Sequence, residues 1–189
     1  MSIQSYMQTV ISSQIDGTAV TNTTTATTII PPAAVYTLPN NLLAIGTVMR
    51  IRALGRISTV VTTPGTLTFS VRLGSGPVIA ATSDALALNI VAKTNVAWNL
   101  DWMLTCRSIG GSTSAALMHN GVFTSEAVIG SPLASVGGQG TLALVNSAPA
   151  VGTGFDSTAA QSVNLFGTWS IANAANSILT HQYTLEIMN

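Results

Sequence analysis

The sequence predicts an all-β fold, either a sandwich or a barrel. Three observations lead there. Apolar and polar residues alternate in short runs, glycine and proline interrupt those runs at regular intervals, and charge is nearly absent. Only 6% of the 189 residues are Asp, Glu, Lys or Arg, against roughly a quarter in ordinary soluble proteins. A chain of this length buries enough surface to need no metal or disulfide staple.

From the N-terminus, residues 1–16 place Ile3, Met7, Val10 and Ile11 at helical spacing without a cap, so an extended arm and a short helix both fit. This arm is set apart from a single β domain over residues 17–189. The segment "TAVTNTTTATTII" (18–30) is β-branched throughout and reads as an edge strand. "TVMRIRALGRIS" (47–58) follows, with Met49, Ile51 and Ala53 directed inward and Val48, Arg50, Arg52 and Leu54 outward. Arg56 comes after Gly55, which leaves its direction open. In "TLTFSVRLG" (66–74), Leu67, Phe69, Val71 and Leu73 share a face. In "WNLDWMLTCR" (98–107), Trp98, Leu100, Trp102, Leu104 and Cys106 share one face, and Asn99, Asp101, Met103, Thr105 and Arg107 the other. "NLFGTWSIA" (164–172) and "HQYTLEIMN" (181–189) close the chain, the latter with Tyr183, Leu185 and Ile187 inward. The breakers are Pro31-Pro32, Pro64-Gly65, Gly74 to Pro77, Gly110-Gly111 and Gly137-Gly138. Residues 127–160 are rich in Gly and small side chains and read as a long loop region, with a strand-like run at Thr141–Val145.

Composition and motifs exclude more functions than they suggest. A single cysteine, Cys106, precludes a disulfide framework, and its alternation with Trp102 and Leu104 makes it a buried thiol. The N-terminus lacks the basic and apolar regions of a signal peptide, so the sequon at Asn22 reads as accidental. No apolar run reaches the roughly 18 residues of a membrane helix. His119, before the turn-like Asn120-Gly121, and His181 belong to no catalytic motif. The acids Asp16, Asp84, Asp101, Glu126, Asp156 and Glu186 are dispersed, and nothing has metal-ligand spacing. "GSGPVIAATS" lacks the lysine of a phosphate loop. We therefore assign no catalytic, cofactor-binding or metal-binding residue and expect no enzyme. Trp98, Trp102 and Trp169 read as core rather than as a sugar platform.

Arg50, Arg52 and Arg56 are half of the six basic residues. A nucleic-acid surface needs several phosphate contacts and stacking aromatics. Here the other cations, Arg72, Lys93 and Arg107, read as scattered, and six acids cancel the field. Nucleic-acid binding is not expected. The arginines read instead as a surface or interface row paired with acids such as Asp101 or Glu186.

Two segments, "LPNNLLAIGTVMRIRALGRISTVVTTPGTLTFSVRLG" (38–74) and "KTNVAWNLDWMLTCRSIG" (93–110), continue to "HNGVFTSEA" (119–127). Their succession resembles a group of structural proteins of tailed bacteriophages. The features are "R-A-x-G-R-I-S", "PGTLTF-x-V-R-x-G" and "N-V-x-W-x-L…LT-x-R-S-I-G", over about the middle half of the chain. The resemblance implies a jelly-roll-like antiparallel β-sandwich carried on the virion, most plausibly a minor capsid or decoration protein. No site residue comes with it. The implied partners are the major capsid protein, other virion subunits and further copies of the chain, with a trimer as the guess by analogy. A membrane is not among them. The location would be the virion, assembled in the host cytoplasm. The alternative is a tail- or fibre-associated module, including one that binds a receptor. With so few charges, attachment is expected to change little with salt.

Overall fold

The computed structural model describes residues 6–74, 78–129, 140–145, 150–152 and 154–188. In chain order its strands are β1 (Met7–Ser12), β2 (Val20–Thr21), β3 (Thr27–Thr28), β4 (Tyr36–Leu38), β5 (Val48–Thr59), β6 (Thr66–Leu73), β7 (Val78–Thr82), β8 (Leu86–Ala87), β9 (Lys93–Ser108), β10 (Ala116–Ser125), β11 (Gly140–Ala143), β12 (Ala150–Val151), β13 (Gln161–Trp169) and β14 (Ser177–Met188). They form two antiparallel sheets packed as a sandwich. The larger runs β1-β14-β5-β9-β10-β11, with β2 also on β14 and β12 also on β10. The smaller runs β3-β13-β6-β7, with β4 also on β13 and β8 also on β6. No described helix is long and apolar enough to cross a membrane.

The alternation seen in the sequence is the alternation of burial. On β9, Trp98, Leu100, Trp102, Leu104 and Cys106 are buried, and on β6 Leu67, Phe69, Val71 and Leu73 are buried. These rows face each other across the core. An aromatic joint connects the sheets: Phe69 of the smaller sheet lies 5.1 Å from Phe123 and 6.2 Å from Trp98, and the latter two stack at 5.9 Å.

A buried indole N–H must find an acceptor. Trp98 donates to the carbonyls of Arg56 and Leu179, at 3.2 and 3.1 Å. β14 makes this possible with a bulge: Thr180 pairs with Gly55 and Gln182 with Leu54, so His181 is the extra residue. Gly55 has a matching role. A Cβ there would stand 1.9 Å from the Leu179 oxygen, so only glycine admits this carbonyl. Trp169 solves the same problem by donating to the Val20 carbonyl at 3.1 Å.

Two crossings between the sheets are tied by one residue. Asn176, fully buried, donates to the Pro64 carbonyl at 3.0 Å and accepts the Val60 amide at 2.9 Å. This joins the β5–β6 and β13–β14 connections. Gly65, with φ +75°, makes the turn after Pro64.

Several sequence expectations change here. Residues 7–12, left open between arm and helix, form β1, and the chain continues along the edge of β14. Met7 faces Met188, Ser13 and Gly17 donate to the Tyr183 and Thr180 carbonyls, and Thr21 faces Ser177. The Thr-rich segment is not one edge strand. β2 joins the larger sheet and β3 the smaller, so the segment crosses between them and buries Ile29 and Ile30. Asn120-Gly121 is not a turn but lies within β10, where a Cβ on Gly121 would stand 2.3 Å from the Asp101 oxygen. In the 127–160 region, β11 and β12 both pair with β10. Residues 130–139, including Gly137-Gly138, and the N-terminal residues 1–5 lie outside the described residues, as do Ser75 to Pro77 of the breaker after Gly74.

Candidate functional site

The outer face of the larger sheet gathers half of the chain's twelve charged residues. Strand register fixes the layout. Reading from β14 through β5 and β9 to β10, one row is Glu186, Arg50, Met103 and Asn120. The next is Thr184, Arg52, Asp101 and Val122, and the third is Gln182, Leu54, Asn99 and Thr124. Arg56, whose direction the sequence left open, stays in phase through Gly55 and is exposed with Arg52 and Leu54. Arg107 extends the outward row of β9. Four of the six cations thus share this face with two acids, Asp101 and Glu186. The reading of Arg107 as scattered is corrected: β5 and β9 are adjacent strands, which residue spacing alone does not reveal.

Arg50 pairs with Asp101 in a two-pronged contact, its Nε 2.8 Å from Oδ1 and its Nη2 on Oδ2. The hydrogen bond from Arg50 holds the Asp101 carboxyl below its ordinary range, against the effect of partial burial and with help from the charges of Arg50 and Arg52. The same bond raises the Arg50 guanidinium, with the charges of Asp101 and Glu186 adding to it. Glu186 faces Arg50 from the other side, with a solvent-shielded Oε2 that has no hydrogen-bond partner among the described residues. Arg56 donates to the Asn95 carbonyl at 3.1 Å.

Two depressions lie on this face, to either side of the Arg50–Asp101 pair. The larger, about 550 Å³, has Met103, Met118, Val122 and Ala143 as its apolar wall and Arg50 and Arg107 at its rim. Met103 and Val122, both lining it, are 47% and 45% exposed. The smaller, about 180 Å³, is lined by Arg52, Leu54, Asn99, Gln182 and Thr184, with the Ala53 backbone strand beneath.

The remaining sequence candidates stand elsewhere. His119 is buried on the inner face, its Nδ1 accepting the Trp102 N–H at 3.4 Å, so the neutral ring carries its proton on Nε2. Burial pushes its pKa down, with the Asp84 charge opposing. His181, at the bulge, lies 3.0 Å from Asp16. Cys106 is buried, and burial raises its thiol pKa. Asp156 accepts the Thr158 hydroxyl and amide, which lower its pKa, in a turn before β13. Among the described residues, no three His, Cys, Asp or Glu side chains stand where they could hold one metal ion.

No protein-family model and no curated relative matches this chain. Among solved structures it is similar to the CBM2 module of the evolved Dit of Lactobacillus casei BL23 phage J-1. The likeness is 15% identical, covers 82% of this chain and 68% of that one, and has a TM-score of 0.33. Such a score falls short of a shared fold.

Proposed function

We propose that this chain is a non-enzymatic structural subunit of a tailed-phage virion, which docks other virion subunits through the outer face of its larger sheet. The observation that carries this reading is the face itself. It is broad, no described residue covers it, and it presents Met103, Val122 and Leu54 at 41% exposure or more beside two depressions. Arginine and methionine are both enriched where proteins associate, and four arginines share this face with exposed apolar side chains. The motif resemblance of the middle of the chain supports the phage setting.

The role we assign is cementing of the head, with the major capsid protein and further copies of this chain as neighbours. Contacts above roughly 1,000 Å² suffice for each, and particle symmetry multiplies them. A trimer suits such a shell by analogy. The second reading, a tail- or fibre-associated receptor-binding module, is favoured by the larger depression, whose volume falls in the range of roughly 300–1,000 Å³ typical of ligand sites. A map of the intact particle decides between them: density spread over the shell upholds cementing, and density confined to the tail replaces it. Met103→Asp, added back to particles lacking the chain, is expected to leave the folded protein intact and to lose attachment. Normal attachment by that variant would overturn the docking face.

A further inference from the structure

The smaller depression has a chemistry of its own. Arg52, Asn99, Gln182 and Thr184 converge on it from three adjacent strands, β5, β9 and β14. None of these four side chains has a hydrogen-bond partner among the described residues. The contrast with Arg50 one row away is direct, since Arg50 spends both prongs on Asp101. Arg52 faces Asp101 in register, yet those carboxylate oxygens are already taken by Arg50. A guanidinium, two carboxamides and a hydroxyl are therefore left at one space, with the exposed Leu54 as its apolar wall.

We infer that this depression receives a carboxylate, the side chain of an Asp or Glu presented by a neighbouring virion subunit. This rests on the docking reading above and gives its partner a chemistry. A guanidinium fork matches a planar carboxylate, and the carboxamides and hydroxyl supply further donors around its oxygens. The apolar wall of Leu54 suits the methylene stem of an acidic side chain. The Arg52 guanidinium matches a single negative charge, and the neighbouring Asp101 carboxylate opposes the second charge of a dianion such as phosphate. A sugar would need an aromatic platform, and the lining of this depression contains none. The partner would then insert an apolar side chain beside Met103 and an acidic one beside Arg52, about 8 Å apart, one strand spacing across and two residues along.

Composition alone suggested attachment indifferent to salt. Four cations on one face replace that with a modest dependence, a weakening of roughly two- to fivefold between low and high salt for one such pair.

The test uses the isotope-labelled full chain, titrated with butyrate, with inorganic phosphate and with sodium chloride at matched ionic strength. NMR follows the side-chain amides of Asn99 and Gln182 and the Nε–H of Arg52. Butyrate is expected to shift them saturably, and Arg52→Met is expected to abolish the shifts of the two amides while the melting temperature stays. No saturable shift, an equal response to chloride, a stronger response to phosphate, or amide shifts that persist in Arg52→Met would each overturn the carboxylate site. The same variant, added to particles lacking the chain, is expected to attach at least tenfold more weakly. If butyrate binds but Arg52→Met attaches normally, the inference about the partner falls. If both Arg52→Met and Met103→Asp attach normally, the docking reading itself falls, which separates the two failures.

Discussion

The two outer faces of the sandwich are built from similar residues and finished differently. On the smaller sheet the cation and the carboxamide are paired within the face. Thr28 donates to Asn164 at 2.6 Å, and Arg72 lies 4.6 Å over the Phe166 ring while its Nε reaches the Ser70 hydroxyl. The cation there is satisfied by an aromatic neighbour, and the aromatic is covered by the cation. On the larger sheet, Arg50 has Asp101, but Arg52, Asn99, Gln182 and Thr184 have nothing comparable, and Met103 and Val122 stand open. A face whose groups are mutually satisfied needs no partner. A face whose groups are left over is shaped for one.

The comparison can be broken most severely by parting the sheets. Phe123→Ala removes the ring that joins Phe69 to Trp98, and should cost about 3–5 kcal/mol. Calorimetry should show a melting temperature lower by roughly 10 °C or more, and both faces should fail together. Gly55→Ala acts on the larger sheet alone, by forcing the Leu179 carbonyl away from the Trp98 indole. Urea titration should show a loss of about 1–3 kcal/mol, with quenching or shift of tryptophan emission as the indole loses its acceptor.

The next pair separates the faces. Phe166→Ala uncovers Arg72 and should lower stability by about 1 kcal/mol, leaving particle attachment unchanged. Met103→Asp should do the reverse, with stability within about 0.5 kcal/mol of the parent and attachment lost. Any other pattern would mean that the faces are not specialised as described.

The smallest effect is electrostatic. Asp101 has its pKa depressed by the Arg50 hydrogen bond, so its contribution is present above the unfolded value of about 3.9 and is lost as pH falls through the folded one. Asp101→Asn should therefore cost under about 1 kcal/mol near neutrality, and the difference from the parent should shrink as pH falls below about 3.9 in urea titrations. A difference that did not change with pH would assign it to packing rather than to charge.

Much of the fold was legible because burial in a sandwich follows a period of two, and β5, β6, β9 and β14 keep that period almost without interruption. The outward direction of Arg50 and Arg52 followed from it, and acids such as Asp101 or Glu186 were the expected partners of the row; that Arg50 meets Asp101 is set by the β5–β9 register. What spacing could not show was which strands lie side by side. Arg107 was already in the outward row of its own strand, but its membership of a four-arginine face required the β5–β9 pairing. The depression at Leu54 needed the β14–β5 register as well. Short-range signals misled where tertiary demand overrode them: Asn120-Gly121 is a turn dipeptide by composition, yet the close approach of the Asp101 carbonyl uses its glycine inside a strand. Phe166 likewise broke the rule that strand aromatics face the core, since Arg72 gives it a cover.

The position of β14 has a consequence for how the molecule comes into being. This strand, at residues 177–188, occupies the interior of the larger sheet, with the earliest described residues on one flank and β5 on the other. Nothing made before it can close that side, because both neighbours wait on the same late segment. Pairings of such long sequence separation make folding slow and topologically demanding. During synthesis the uncharged 6–15 segment must therefore remain unpaired until residues 177–188 have been made, a window in which the nascent chain is exposed to its own kind and a chaperone would matter most.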